Sequence, residues 1–188
     1  AIFYYKSAIS VDPKYFEVYI NLAETYRILK KYELAIKTSE SAININNYSI
    51  KGYFTLANIY DDCEYFKKAI LYYHKVLNIE PDNFQANNNI GVLYFKENNI
   101  QKAIEHYNIA LKKNSKSPEI YNNLGLLLKE TNKKNSAIKC FKNALDLDGE
   151  FIDANYNMAN VLKDIKNNIS SISFYEKVLS LNPNHINA

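Results

Sequence analysis

The chain of 188 residues is 47% hydrophobic, 23% charged and 14% aromatic, a balance that excludes a disordered polar chain and fits a folded domain with its own core. Only 4 glycines and 4 prolines are present, too few for the turns of an all-β chain of this length, so helices are expected. A net charge of +3 without a concentrated basic patch gives no footing for nucleic acid, and no apolar run approaches the roughly 18 residues of a membrane span.

In chain order, the first segment is residues 1–15, a short apolar-periodic stretch with small residues at Ala1 and Ala8. The next unit, 16–49, carries Leu22-Ala23, Tyr26, Ala35 and Ala42. Unit 50–83 repeats them as Leu56-Ala57, Tyr60, Ala69 and Val76, adds Tyr73, and ends near Pro81. Unit 84–117 has Ile90-Gly91, Tyr94, Ala103, Tyr107 and Ala110, with a polar turn at Glu97-Asn98-Asn99. Unit 118–151 has Leu124-Gly125, Ala137, Phe141 and Ala144; its turn is Thr131-Asn132-Lys133, and Ser117-Pro118 has the form of an N-cap followed by a first-turn proline. Unit 152–185 has Met158-Ala159, Ser171, Tyr175, Val178 and Pro183, and 186–188 begin another. Corresponding anchors lie 34 residues apart throughout. Within each unit, positions 4, 7, 8 and 11 share one helical face, so every unit predicts two helices joined by a turn. The small residue at position 8 is expected to meet the small residue at position 20, with the aromatic at position 24 filling the space beside them.

This pattern resembles the tetratricopeptide repeat over the whole chain. The resemblance implies an all-α, right-handed superhelical solenoid of stacked antiparallel helix pairs, a single array of five full repeats. Residues 1–15 then correspond to the second helix of a preceding repeat, and both ends have the character of cuts through a longer array. A single helix pair cannot bury both faces, so neighbouring pairs must stack. Some positions depart from the pattern. Asn87 and Asn155 occupy position 4, where the family prefers a large apolar residue, and Asn87 is expected to cost stability there. Lys134 and Asn168 replace the bulky residue at position 17, and Ser171 replaces the alanine at position 20. Looser packing is therefore expected in the fourth and fifth repeats than in the second.

No catalytic pattern is present: no glycine-rich phosphate loop, no nucleophile elbow, no zinc motif. No enzyme activity, cofactor or metal is expected. His106 and Cys140 share position 23 of adjacent repeats, but Thr38, Tyr72 and Phe174 fill that slot elsewhere, so the slot is permissive. Cys63 and Cys140 form no disulfide framework and fit a reducing compartment, cytoplasmic or nuclear.

Function in a stacked array lies on its open faces. The resemblance implies that positions 2, 6, 9 and 13 of each first helix line a concave peptide groove. Position 6 reads Asn21, Thr55, Asn89, Asn123 and Asn157, and position 9 adds Asn58 and Asn160. Two readings stand open. Asparagine at position 6 either supports the fold locally or forms a ladder whose amides hold the backbone of an extended peptide. The ladder resembles the repeat arm of nucleocytoplasmic protein O-glycosyltransferases of the O-GlcNAc transferase and SPINDLY type, as do the segments "NNIGVLY" and "YNNLGLL". Glu17, Glu24, Asp62, Glu119, Glu130, Asp153 and Asp164 make the same face acidic, against Lys51 and Lys96. Position 12 (Arg27, Asp61, Phe95, Lys129 and Lys163) weakens that bias, so basic or neutral protein segments are favoured modestly. A carboxylate clamp is not expected, because position 5 (Ile20, Phe54, Asn88, Asn122, Tyr156) lacks lysine throughout. Phe54, Phe95 and Tyr156 flank the face as candidate anchors. The expected function is a protein-binding scaffold without catalysis of its own. The alternatives are the substrate-recognition arm of a protein O-glycosyltransferase, or a module for homo-oligomerisation through its outer helices.

Overall fold

The computed structural model describes residues 1–186, so the last two residues of the expected further repeat lie outside the described part. The described residues form eleven α-helices and no strand. They fall into two compact units, Ala1–Glu97 and Asn98–Ala188.

The first unit contains α1 (Ile2–Val11), α2 (Phe16–Ile28), α3 (Tyr32–Ile45), α4 (Ile50–Asp62), α5 (Phe66–Ile79) and α6 (Phe84–Lys96). Consecutive helices pack on one another, and α2 also packs on α4. Leu22, Ala23, Tyr26, Ala35 and Ile59 form one core cluster, with Ile2, Tyr5 and Ile9 of α1 against it. A larger cluster gathers Leu56, Ala57, Tyr60, Ala69, Tyr73, Val76, Ile90 and Leu93 from α4, α5 and α6. The alanines at repeat positions 8 and 20 are fully buried (Ala23, Ala35, Ala57, Ala69), which lets paired helices approach closely.

The second unit contains α7 (Ile100–Lys113), α8 (Pro118–Glu130), α9 (Lys134–Leu147), α10 (Ile152–Asp164) and α11 (Asn168–Leu181), again packed in sequence, with α8 also against α10. Its core holds Ala137, Phe141, Met158, Val161 and Leu162. In the fourth repeat the small position 8 answers the aromatic at position 24. A Cβ on Gly125 would lie 2.6 Å from the Phe141 ring, so only glycine leaves room for that ring.

Local chemistry sets the helix ends. Ser49, Asn83, Asn99, Ser117 and Asn167 accept a hydrogen bond from the backbone N–H three residues on, capping α4, α6, α7, α8 and α11. Pro118 follows Ser117 as the first helical residue, as the sequence predicts. The turn inside each repeat always contains one left-handed residue: Lys30, Glu64, Asn98, Asn132 and Lys166, at φ 56–63°. Around Glu64 the bonds are Glu64 N–H to Asp61 O at 2.8 Å and Tyr65 N–H to Tyr60 O at 2.9 Å, the Schellman arrangement. Five connections between repeats share a second device. Asp12, Asn46, Asn114, Asp148 and Asn182 each accept from the N–H two residues on, at 2.9–3.2 Å.

The position-4 asparagines are not defects in an apolar layer. Asn155 is buried, and its amide donates to Gly149 O at 3.1 Å and Phe151 O at 3.0 Å. Asn87 is also buried and donates to Asn83 O at 3.3 Å. Each satisfies backbone carbonyls at the turn entering its helix, which offsets the cost of burying an amide. For Asn87 this bond offsets part of the stability cost expected from its position.

Candidate peptide-binding site

The residues expected to line the groove lie on the first helices of the repeats. In the first unit these are α2, α4 and α6. Asn21 is exposed on α2, and its backbone carbonyl accepts from the Thr25 hydroxyl at 2.8 Å. Thr55 is buried in α4, and Asn58 is half-buried one turn further on. Asn89 is half-buried in α6.

The buried Tyr73 of α5 joins two of these amides. Its hydroxyl donates to Asn58 Oδ1 at 2.5 Å and accepts from Asn89 Nδ2 at 3.0 Å. Burial pushes the Tyr73 phenol above its ordinary range, with the Asn89 bond opposing, so the hydroxyl stays protonated and able to donate. Tyr73 thus occupies the oxygen end of Asn58 and the nitrogen end of Asn89. Asn58 is left to offer its NH2 and Asn89 its Oδ1, which also takes a long bond of 3.4 Å from Asn88 Nδ2.

The second unit repeats half of this arrangement on α8, α10 and α11. The Tyr175 hydroxyl donates to Asn160 Oδ1 at 2.7 Å, and Asn157 Nδ2 donates to Asn122 Oδ1 at 2.9 Å. Asn123 is half-buried in α8. Asn58, Asn89, Asn157 and Asn160 therefore also bond within the fold, and these bonds orient their amides. Repeat position alone carried the amides but not these partners, since a 15-residue separation hides that Tyr73 and Tyr175 reach back to position 9.

In the first unit, an open pocket of about 370 Å³ lies on this face, lined by Ile50, Lys51, Phe54, Thr55, Asn58, Asn83 and Gln85. Phe54 forms an apolar wall and packs edge-on against Tyr73, with ring centroids 5.2 Å apart. Lys51 is the charged residue among the lining side chains. The pocket combines apolar floor and amide rim, the composition that holds a side chain while bonding its backbone.

The acidic residues are less free than their spacing suggests. Arg27 bridges Glu24 at 2.8 Å and Asp62 at 2.7 Å, and Lys96 reaches Asp61 at 2.6 Å. In the second unit Lys129 pairs with Glu130 at 3.1 Å, while the Lys134 ammonium takes the backbone carbonyl of Asp164 at 3.2 Å. Glu17, Glu119, Asp153 and Asp164 are exposed at helix ends. Arg27 at position 12 thus sets a cation between Glu24 and Asp62 on the first unit's face, and Lys96 sets one beside Asp61. The neighbourhood of Cys63 gives no activated thiol: burial raises its pKa, and so it does for Cys140. Among the described residues, no group of three or more His, Cys, Asp or Glu is placed to hold a metal ion, and no helix is long and apolar enough to cross a membrane.

The stacked helix pairs and their polar first-helix face define a helical repeat protein. A tetratricopeptide repeat model matches residues 50–83, 118–151 and 152–185, more than half of the chain, and the chain belongs to the tetratricopeptide repeat family. Related repeat models match residues 4–37 and 93–132. The fold is similar to YrrB, described as a TPR protein with an unusual peptide-binding site, at TM-score 0.65 and 20% identity over 99% of this chain and 96% of that one. It is similar to Pseudomonas aeruginosa pilF at TM-score 0.79 and 22% identity, covering 89% of this chain and 76% of that one. It is also similar to MamA, at TM-score 0.70 and 17% identity, over 89% and 92%. No curated protein matches the chain in sequence. At these identities the likeness establishes the fold, a TPR solenoid built of helix pairs.

Proposed function

We propose that the chain is a protein-interaction scaffold that holds extended peptide segments on the first-helix faces of its repeats. The observation that carries this reading is the Phe54 pocket, where apolar wall, Thr55 and the oriented Asn58 amide converge. An extended strand offers alternating side chains and a free backbone, the two things such a pocket can grip. YrrB, described as a TPR protein with an unusual peptide-binding site, supports the reading by analogy of fold. In the second unit the exposed Glu119, Asp153 and Asp164 favour neutral or basic segments.

The test is selection of binding peptides from a random displayed library against the full chain, followed by affinity measurement on Gln85→Trp, which fills the pocket from its exposed rim. The expected result is at least a tenfold loss for the selected peptides. Peptides that bind the variant as tightly as the original chain remove the pocket from the mechanism. The narrower reading, an arm that selects substrates for a protein O-glycosyltransferase, rests on the asparagine row. Its test is Asn89→Ala, Asn123→Ala and Asn157→Ala together; unchanged peptide affinity ends it.

A further inference from the structure

The pocket on α4 and α6 has a chemistry more specific than backbone capture. Its wall is Phe54, half-exposed and held edge-on by Tyr73, with Ile50 beside it. Its rim is neutral: Thr55, Asn58, Asn83 and Gln85. Asn83 is already engaged, accepting from Ala86 N–H at 2.8 Å and donating to Glu80 at 2.8 Å. The Asn58 amide has its oxygen taken by Tyr73. The charged side chain that lines the pocket is Lys51, whose ammonium stands on the exposed first turn of α4, while the Glu80 carboxylate lies behind the rim, bonded to Asn83. The carboxylates Glu24, Asp61 and Asp62 lie near the other ends of their helices and are paired with Arg27 or Lys96.

Resting on the proposed peptide groove, we infer that this pocket selects an extended segment carrying an apolar residue next to an acidic one. The apolar side chain lies against Phe54 and Ile50. The Asn58 NH2, oriented by the bond its oxygen accepts from Tyr73, donates to a backbone carbonyl of the segment. The neighbouring carboxylate meets Lys51. The occupant is thus an acidic-apolar peptide, opposite in charge to the basic or neutral segments expected from the sequence.

The experiment uses the full chain and fluorescein-labelled peptides about twelve residues long in a flexible Gly-Ser background. They carry Phe-Asp, Phe-Lys or Ser-Asp at the centre, and affinity is read by fluorescence anisotropy. Phe-Asp is expected to bind about tenfold or more tighter than Ser-Asp, from burial of the ring. It is expected to bind about three- to fivefold tighter than Phe-Lys, the scale of an exposed ion pair. Lys51→Glu, a surface change, is expected to reverse the order of Phe-Asp and Phe-Lys. Equal binding of those two, or an order that Lys51→Glu leaves intact, overturns the inference. The groove reading survives that result if Gln85→Trp still abolishes binding. Binding that Gln85→Trp does not weaken, or no binding by any of the three peptides, overturns the groove reading and this inference together.

Discussion

The Tyr73 hydroxyl accepts a hydrogen bond from Asn89 Nδ2 at 3.0 Å, tying the second helix of one repeat to the first helix of the next. The same hydroxyl donates back to Asn58. Tyr73→Phe deletes both bonds and keeps the ring. Each bond is worth about 1 kcal/mol, so the variant should lose about 1–2 kcal/mol in urea unfolding. Tyr175→Phe, which deletes the bond to Asn160, should lose about 1 kcal/mol. Equal stability of Tyr73→Phe and the original chain would show the relay to be energetically idle.

Alkaline pH tests the burial of the tyrosines. Burial raises the Tyr73 and Tyr107 phenols above the ordinary value of 10.0. Above that pH the unfolded chain releases their protons while the folded chain keeps them, so stability falls as pH rises. Below it both states are protonated and no such loss occurs. Unfolding free energy measured from pH 8 to 11 should decline above about pH 10, and decline less steeply when Tyr73 and Tyr107 are both phenylalanine.

The left-handed turn residues give a stability prediction of the opposite sign. Lys30 and Lys166 sit at φ 56° and 63°, where a Cβ crowds the following carbonyl. Lys30→Gly and Lys166→Gly should each stabilise by about 0.5–1 kcal/mol, measured by thermal or urea unfolding. Asn132→Gly should gain less, because asparagine visits this region readily.

Gly125 makes the reverse case. A Cβ there would lie 2.6 Å from Phe141, a fully buried ring with no room to retreat. Gly125→Ala should cost about 1–3 kcal/mol. At Gly149 an added Cβ would find its nearest neighbour, Leu145 O, at an ordinary 3.7 Å. Gly149→Ala should therefore stay within about 0.5 kcal/mol of the original chain. Similar melting shifts for the two variants would contradict the packing described.

Packing should also differ between repeats. Helix α5 buries Ala69, Ile70, Tyr73 and Val76, whereas α11 buries Ser171 and Val178 and leaves Ile169 87% exposed. Amide hydrogen exchange in α4 and α5 should outlast that in α10 and α11. Best protection in the fifth repeat is the outcome that sinks this expectation.

The helices were legible in the sequence because each contact within a repeat recurs 34 residues later, so periodic anchors such as Ala35, Ala69, Ala103 and Ala137 mark buried positions unambiguously. The cap at Ser117 was legible for a local reason: a serine before a first-turn proline has one good use. What escaped were contacts made by side chains reaching across helices. Asn87 and Asn155 look misplaced in an apolar column, yet they bond carbonyls in the preceding turn, a partnership set by backbone path and not by residue type. The turn asparagines and aspartates from Asp12 to Asn182 repeat as faithfully as the alanines, and signal their Asx turns once position 31 is aligned. Position 12 already showed in the sequence that Arg27 lowers the acidic bias of the face; which acids it reaches, Glu24 and Asp62, is set by the packing of α2 on α4.

The hydroxyl of Tyr73 has a consequence for how the first unit comes apart. In a linear array, cooperativity depends on how strongly each repeat relies on its neighbour. Detaching α6 would strip Asn89 from Tyr73 and uncover the apolar surface that Ile90 and Leu93 share with Tyr73 and Val76. A polar bond and an apolar seam are then lost at one step, so α4, α5 and α6 should melt as one cooperative block instead of fraying helix by helix.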